Sequence, residues 1–107
     1  MLEKGNDFYI KTIEDLISEA FGVNSDVFYN QKYLYKNTSI AFGVLVYFLY
    51  DYMSMTHEKI ATKYNKGSKS LSCYKRNKIL KLDKEKLKDK IILDKINQIK
   101  EHLEKLI

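Results

Sequence analysis

The segment THEKIATKYNKGSKSLSCYKRNKI, from Thr56 to Ile79, combines helix-like patterning with many basic residues and almost no acidic ones. Two short stretches patterned like helices flank a turn signal, NKG at residues 65–67. Thr56 and Ser68 are good N-caps for the two stretches, because a hydroxyl can accept a hydrogen bond from a free backbone N–H. A short helix, a tight turn and a second helix predict a helix-turn-helix over about residues 56–82.

Positive charge is concentrated in this same part of the chain. Residues 56–82 hold eight lysines and arginines against Glu58 alone, a net charge of +7. Residues 1–55 carry −3 and residues 83–107 carry +1, which gives +5 for the whole chain. A basic block beside an acidic one indicates a binding face for a polyanion. A solvated lysine-rich surface is the alternative interpretation.

Composition favours an all-α protein, because the 107 residues include no proline and only four glycines. A chain of this length has material for one core, so residues 1–107 are expected to form a single domain, a compact bundle of about six helices. The single Cys73 cannot build a disulfide framework, which favours a cytoplasmic location. The start lacks the features of a secretion signal, and the longest apolar run, residues 40–50, is too short to span a bilayer.

The first half of the chain predicts two helices and a turn. The first helix would be capped by Asn6 or Asp7 and ended by Gly22. A single turn is expected within NSDVFYN, residues 24–30, and a loop over QKYLYKNTS, residues 31–39. The next helix would begin after a cap at Asn37 or Thr38, and its apolar residues on every side predict a central position.

The last segment predicts an amphipathic helix over about residues 83–107. Its apolar residues recur at alternating spacings of 4 and 3, as in a coiled coil. The stripe is short, so packing back on the domain, and a monomer, are favoured over a dimer formed through this helix. The stripe comprises Ile92, Ile96, Ile99, Leu103 and Leu106.

The second helix of the helix-turn-helix, about Ser68 to Leu80, is the predicted recognition helix. A helical wheel assigns it an inner side and an outward side. The inner side comprises Leu71, Tyr74, Ile79 and Leu82, and the outward side comprises Lys69, Cys73, Arg76 and Leu80 with Asn77 beside them.

Such an outward side is suited to the major groove of DNA. Arginine can fork onto guanine and asparagine onto adenine, so Lys69, Arg76 and Asn77 are predicted to face base edges, with Cys73 as a small residue between them. Hydroxyls and free N–H groups at a helix start bind phosphate, which is the role predicted for the turn and first helical turn. The residues concerned are Lys66, Ser68 and Ser70.

The order of elements resembles the C-terminal DNA-binding domain of the bacterial replication initiator DnaA, over about Thr12 to Leu106. TIEDLISEAFGVNSDVF is similar to the family's opening helix and the break after it, and VLVYFLYDYMSMTHEKIATKY to its central helix and the first helix of its helix-turn-helix. KSLSCYKRNKI stands in place of the recognition helix. The resemblance implies a Trp-repressor-like bundle that binds double-stranded DNA.

The chain departs from the family at the start of the recognition helix. The family has Gly-Gly-Arg-Asp-His there, and this chain has NKGSKS, so binding to DNA is expected without recognition of the family's standard site. The family's arginine-rich loop, which reaches a minor groove, corresponds to QKYLYKNTS, where Lys32 and Lys36 are expected to contact the flanking DNA backbone.

No nucleotide-binding motif G-x-x-x-x-G-K-[ST] occurs, so a detached DNA-binding module without ATPase activity is expected, in replication or transcription control, from a phage or mobile element. One alternative is a protein-interaction module of the same fold that binds an acidic partner or a replication or transcription protein. Another is a small transcription regulator that dimerises through its C-terminal helix.

Other chemistry finds little support in the sequence. His57 and His102 lack a second ligand at metal-binding spacing, so no metal site is predicted. Cys73 has cationic neighbours but no histidine placed to act as a base. No pair of catalytic carboxylates is evident. The sequence therefore predicts neither an enzyme nor a cofactor.

Overall fold

The computed structural model describes residues 3–30 and 36–106, and within these ranges the chain is all-α, as predicted. None of the helices in this part is long and apolar enough to cross a membrane. The six helices are α1 Glu3–Phe21, α2 Val27–Asn30, α3 Lys36–Asp51, α4 His57–Lys63, α5 Lys69–Leu80 and α6 Leu87–Leu106.

Helix α3 is the centre of the bundle. Residues 41–46 are all buried, which confirms the prediction from a helix that is apolar on every side. Helix α1 packs on one side of α3 and helix α5 on another. Phe42, Leu45 and Leu49 are fully buried, so the core is built around this helix.

Helix α1 places Ile13, Ile17 and Phe21 in the core. It ends as predicted at Gly22, whose positive φ of 67° lets the Val23 N–H donate to the Ser18 carbonyl at 3.0 Å. The predicted cap at Asn6 or Asp7 is wrong, because the helix already includes residues from Glu3 onward.

Short α2 agrees with the single turn expected in NSDVFYN. The Asn24 side chain accepts a hydrogen bond from the Asp26 N–H at 2.9 Å, and Phe28 is fully buried. The predicted loop over residues 31–39 is only partly covered, since residues 31–35 lie outside the described part of the chain. Its second half is wrong, because residues 36–39 already belong to α3, and so is the cap at Asn37 or Thr38.

Helix α6 begins four residues later than expected. Residues 83–86 form a turn in which the Asp83 carboxylate accepts the Glu85 N–H at 2.9 Å and the Asp89 carboxylate accepts the Asp83 N–H at 3.0 Å. The helix then packs on α1, and the described part of its stripe, Ile92 to Leu103, faces the core. Ile96, Ile99 and Leu103 are buried, so the predicted packing of the stripe back on the domain is confirmed for these three residues.

A buried carboxylate joins three parts of the fold. Glu14 of α1 is 3% exposed and accepts hydrogen bonds from the Tyr29 hydroxyl and, at 2.6 Å, from the Tyr64 hydroxyl. Burial, followed by the hydrogen bond to Glu14, raises the pKa of Tyr29 to about 12 and also raises the pKa of Tyr64. Since Tyr64 caps the end of α4, this cluster fixes the first helix of the pair to the core.

Candidate nucleic-acid interface

Helices α4 and α5 form the predicted helix-turn-helix, and both predicted caps are confirmed. The Thr56 hydroxyl accepts the Lys59 N–H at 3.1 Å, and the Ser68 hydroxyl accepts the Ser70 N–H at 3.0 Å. Between the helices, Gly67 has a φ of 74°, a left-handed conformation that glycine adopts without strain. The turn thus brings α5 directly against α4.

Lys66, which was predicted to bind phosphate at this turn, is turned inward instead. Its side chain is buried, with only 7% of the residue exposed. The ammonium donates to the Phe28 carbonyl at 2.7 Å and lies 5.2 Å from the centre of the Phe42 ring. Burial lowers the pKa of Lys66. Lys66 therefore connects the turn to α2. The prediction that it lies on the outer surface and binds phosphate is wrong.

Helix α5 approaches α3 closely at Gly43. A Cβ at that position would lie 3.2 Å from the Lys75 carbonyl oxygen and 3.3 Å from the Ile79 side chain. Ile79 itself is buried, as predicted. The absence of a side chain at Gly43 therefore sets the distance between the two helices.

Ser72 is the most buried residue of α5, with no exposed surface. Its hydroxyl forms a hydrogen bond of 2.7 Å with Nδ1 of His57, the first residue of α4. The His57 ring stacks on Tyr50 of α3 at 4.3 Å between ring centres. Burial, with Arg76 as a second cause, lowers the pKa of His57. His57 thus joins α3, α4 and α5 and has a structural role.

Arg76 was predicted to face base edges, and its side chain is bound to its own chain instead. Nε and Nη2 donate to the two oxygens of Asp51 at 3.0 and 2.8 Å. The guanidinium also lies 4.4 Å from the centre of the Tyr50 ring. The hydrogen bond to Asp51 raises the pKa of Arg76. A guanidinium held in this way is not free to fork onto guanine, so its part is to hold α5 on the end of α3.

Lys75 is a third attachment point. It is half-buried, and its ammonium donates to the Ser39 hydroxyl near the start of α3. Burial is the main reason that its pKa is lowered. Together with Ser72 and Arg76, this lysine fixes the middle of α5.

The exposed side of α5 is rotated from the predicted side by roughly a fifth of a turn. Tyr74, predicted to face inward, is 54% exposed, whereas Arg76 is packed against α3. The helical wheel assigned the inner side from the apolar residues. In the structure the inner side is centred on Ser72 and Ile79. The exposed residues are Lys69, Ser70, Cys73, Tyr74, Asn77, Lys78, Leu80 and Lys81, and we call them the α5 outer face.

This outer face combines cations with groups that can read bases. Lys69, Lys78 and Lys81 supply positive charge, and the Lys78 ammonium lies 5.1 Å from the centre of the Tyr74 ring. The Asn77 side chain is exposed, and its amide donates to the Cys73 sulfur at 3.7 Å. Sequence reasoning missed Tyr74, Lys78 and Lys81. The sequence signal for them was Gly43, which marks where α5 must come close, together with the small Ser72.

Of the predicted site residues, Lys69, Ser70, Cys73 and Asn77 lie on the outer face, and Ser68 is exposed at its edge while capping the helix. Lys32 lies outside the described residues, and so does the side chain of Lys36, the first residue of α3.

Residues 3–30 and 36–106 contain no group of three or more histidine, cysteine or acidic side chains that could hold a metal ion. His57 is engaged with Ser72, and Cys73 is an exposed free thiol.

Comparison with known proteins gives no further guide to the site. No protein-family model, no curated protein and no solved structure matches this chain. Its function is therefore inferred from the geometry and charge of the α5 outer face.

Proposed function

We propose that this chain is a DNA-binding helix-turn-helix protein that resembles the DnaA DNA-binding domain. It would act in the cytoplasm as a monomer, in replication or transcription control, without ATPase activity. The observation that carries the proposal is the state of α5. Its inner side is held by Ser72, Lys75 and Arg76, while its outer side is bare and basic. A rigid helix with an unobstructed cationic face is what a major groove accepts.

Direct reading of bases is assigned to Asn77 and Tyr74. The amide of asparagine can form two hydrogen bonds with adenine, and an aromatic ring can contact the methyl group of thymine. Asn77 would exchange its weak contact with the Cys73 sulfur for this pairing. Asn77 follows Tyr74 by three residues, so the two side chains lie on the same face about one helical turn apart. They would therefore contact adjacent base pairs.

Phosphate contacts are assigned to the exposed lysines of the helix-turn-helix. Lys69 and Lys78 are exposed on α5, Lys81 is exposed directly after its last residue, and Lys59 is exposed on α4. Ser70, in the first turn of α5, adds a hydroxyl donor. Such contacts position the protein and supply most of the affinity, but they do not distinguish sequences.

The function is tested by fluorescence anisotropy with a labelled duplex of mixed sequence at low salt. The chain should bind, and the double variant Lys78→Ala/Lys81→Ala should bind at least tenfold more weakly, because two phosphate contacts are lost. The control is Lys105→Ala. This lysine is exposed near the end of α6, about 24 Å along the helix from Asp89 in its first turn. Its replacement should leave the affinity for the duplex unchanged.

Two outcomes would contradict the proposal. Undetectable binding at low salt would favour the alternative of a protein-interaction module with this fold. An equal loss from Lys105→Ala would mean that binding depends on net charge and not on the α5 outer face. If the chain binds the mixed duplex, selection from a random duplex library defines the DNA sequence that it prefers.

A further inference from the structure

An open groove lies beside α5, between its inner edge, α3 and the start of α6. Its volume is about 520 Å³, which is in the range of ligand-binding clefts. It lies where residues 83–86 lead from α5 to α6, and Ile40, Leu82 and Ile92 remain partly exposed there. It shares Lys78 and Lys81 with the α5 outer face, but its apolar lining distinguishes it from that face.

The floor of the groove is apolar. It is formed by Ile40 of α3, Ile79 of α5, Leu82 of the connection and Ile92 of α6. Ile79 is almost completely buried, whereas the other three are only partly buried and pack against the edge of the core. Apolar surface that stays open to solvent in a concave site indicates a partner that brings apolar groups of its own.

The rim of the groove is basic. Lys75, Lys78 and Lys81 recur every three residues on α5, so they line one edge. Lys78 and Lys81 are exposed, and Lys75 is bound to Ser39. Among the described residues of the lining, Asp89 is the one with an acidic side chain, and its carboxylate already accepts the Asp83 N–H. The rim therefore favours carboxylates on the occupant.

We infer that this groove binds a short acidic amphipathic segment of a partner protein. The apolar side chains of the segment would contact the floor, and its carboxylates would face the lysine rim, as in recognition of a helix by a groove. Duplex DNA fits this site less well, because the phosphate backbone has no apolar surface to place on Ile40 and Ile92. The inference does not depend on the proposed DNA binding.

A synthetic peptide tests the inference with the intact chain. The probe is a fluorescein-labelled peptide of about 14 residues, four helical turns, with leucine on one face and glutamate elsewhere. Saturable binding is expected by anisotropy. Ile40→Thr should weaken it about fivefold by removing apolar contact, and Lys78→Glu by at least as much by reversing charge.

Matched controls separate the groove from general effects. Ile91→Thr changes a half-exposed isoleucine of α6 that is not among the residues lining the groove, and Lys105→Glu reverses an exposed charge at the far end of that helix. Neither should alter peptide binding. Thermal unfolding by circular dichroism checks that each variant is folded, and Lys78→Glu, an exposed position, keeps the test decisive if Ile40→Thr is unstable.

Three results would overturn the inference. Equal binding of a peptide in which serine replaces every leucine would show that charge alone is recognised. Loss of duplex binding in Ile40→Thr, with peptide binding unchanged, would assign the groove to nucleic acid. A chain that dimerises by light scattering, and becomes monomeric in Ile40→Thr, would assign the groove to a second copy of the chain.

Discussion

Arg76 and Asn77 are neighbours on α5 but face different surroundings. Arg76 is held by Asp51 and Tyr50, whereas Asn77 is exposed on the outer face. A residue that holds the helix and a residue that contacts bases should behave differently when the DNA sequence is varied. The two substitutions can therefore be compared directly.

We expect Asn77→Ala to weaken binding to the selected site by about 1–3 kcal/mol and to relax the preference at one base pair. Arg76→Ala should weaken binding to all sequences alike, because it loosens α5 on α3. Anisotropy with the selected duplex and a set of single-base-pair variants measures both effects. Loss of preference at one base pair in Arg76→Ala would show that its guanidinium leaves Asp51 and reads DNA.

Glu14 is a carboxylate inside the core, and two tyrosine hydroxyls satisfy it. Tyr64→Phe removes one donor without creating a large cavity, so the carboxylate keeps only its bond with Tyr29. The expected loss is about 1–3 kcal/mol in the free energy of unfolding, measured by urea denaturation. Tyr74→Phe is the matched control, since its hydroxyl is on an exposed ring. Equal stability of the two variants would show that the Tyr64 hydroxyl contributes little.

Alkaline pH should destabilise the protein through Tyr29. Folding raises the pKa of this hydroxyl from 10.0 to about 12, so between these values the folded protein binds more protons than the unfolded chain. Stability is therefore complete below pH 10 and falls as pH rises towards 12. Tyr64, whose pKa is also raised, adds to the loss. Urea denaturation from pH 9 to 12 should show a decline that is shallower in Tyr29→Phe, and an unchanged slope would contradict this role.

Among the helices, α5 lacks the apolar face that would fix its position by hydrophobic packing alone. Its sequence has no continuous apolar face, and its inner side is formed largely by Ser72, Lys75 and Arg76. Polar contacts with α3 and α4 therefore do what an apolar stripe does in α6. The first turn depends on the Ser68 cap.

Ser68→Ala should lower the free energy of unfolding by about 1 kcal/mol, because the Ser70 N–H loses its acceptor. Ser70→Ala is the control, as its exposed hydroxyl caps nothing in the described structure, and it should change stability by less than about 0.5 kcal/mol. Urea denaturation compares the two. A larger effect of Ser70→Ala would mean that the cap is not the interaction that begins α5.

These contacts explain which elements the sequence could predict. Thr56, Ser68 and Gly22 act within a few residues of themselves, so their roles were visible in the local pattern. The direction of α5 was not, because it depends on partners far away in sequence. Ser72 can be buried because its hydroxyl forms a hydrogen bond with His57. Arg76 faces α3 because its guanidinium donates hydrogen bonds to Asp51. Lys66 escaped prediction for the same reason, as its acceptor is the carbonyl of Phe28.

For the whole molecule, the sequence predicted where along the chain the positive charge lies. It predicted only in part which of these cations are exposed on the surface. Of the eight cations in residues 56–82, Lys66 is buried and Arg76 is paired with Asp51. Lys75 is bound to Ser39, and Lys63 is half-buried beside Tyr29 and Tyr64. The remaining four are exposed on α4 and α5, and they are Lys59, Lys69, Lys78 and Lys81.

The salt dependence of duplex binding tests this account most directly. If these four lysines contact phosphates, the logarithm of the association constant should fall with the logarithm of salt concentration at a slope of about −3.6. Lys78→Ala should reduce the slope to about −2.7, and Lys105→Ala should leave it unchanged. A slope that Lys78→Ala does not alter, or a chain that binds no duplex at any salt concentration, would contradict the assignment of these lysines to phosphate contacts.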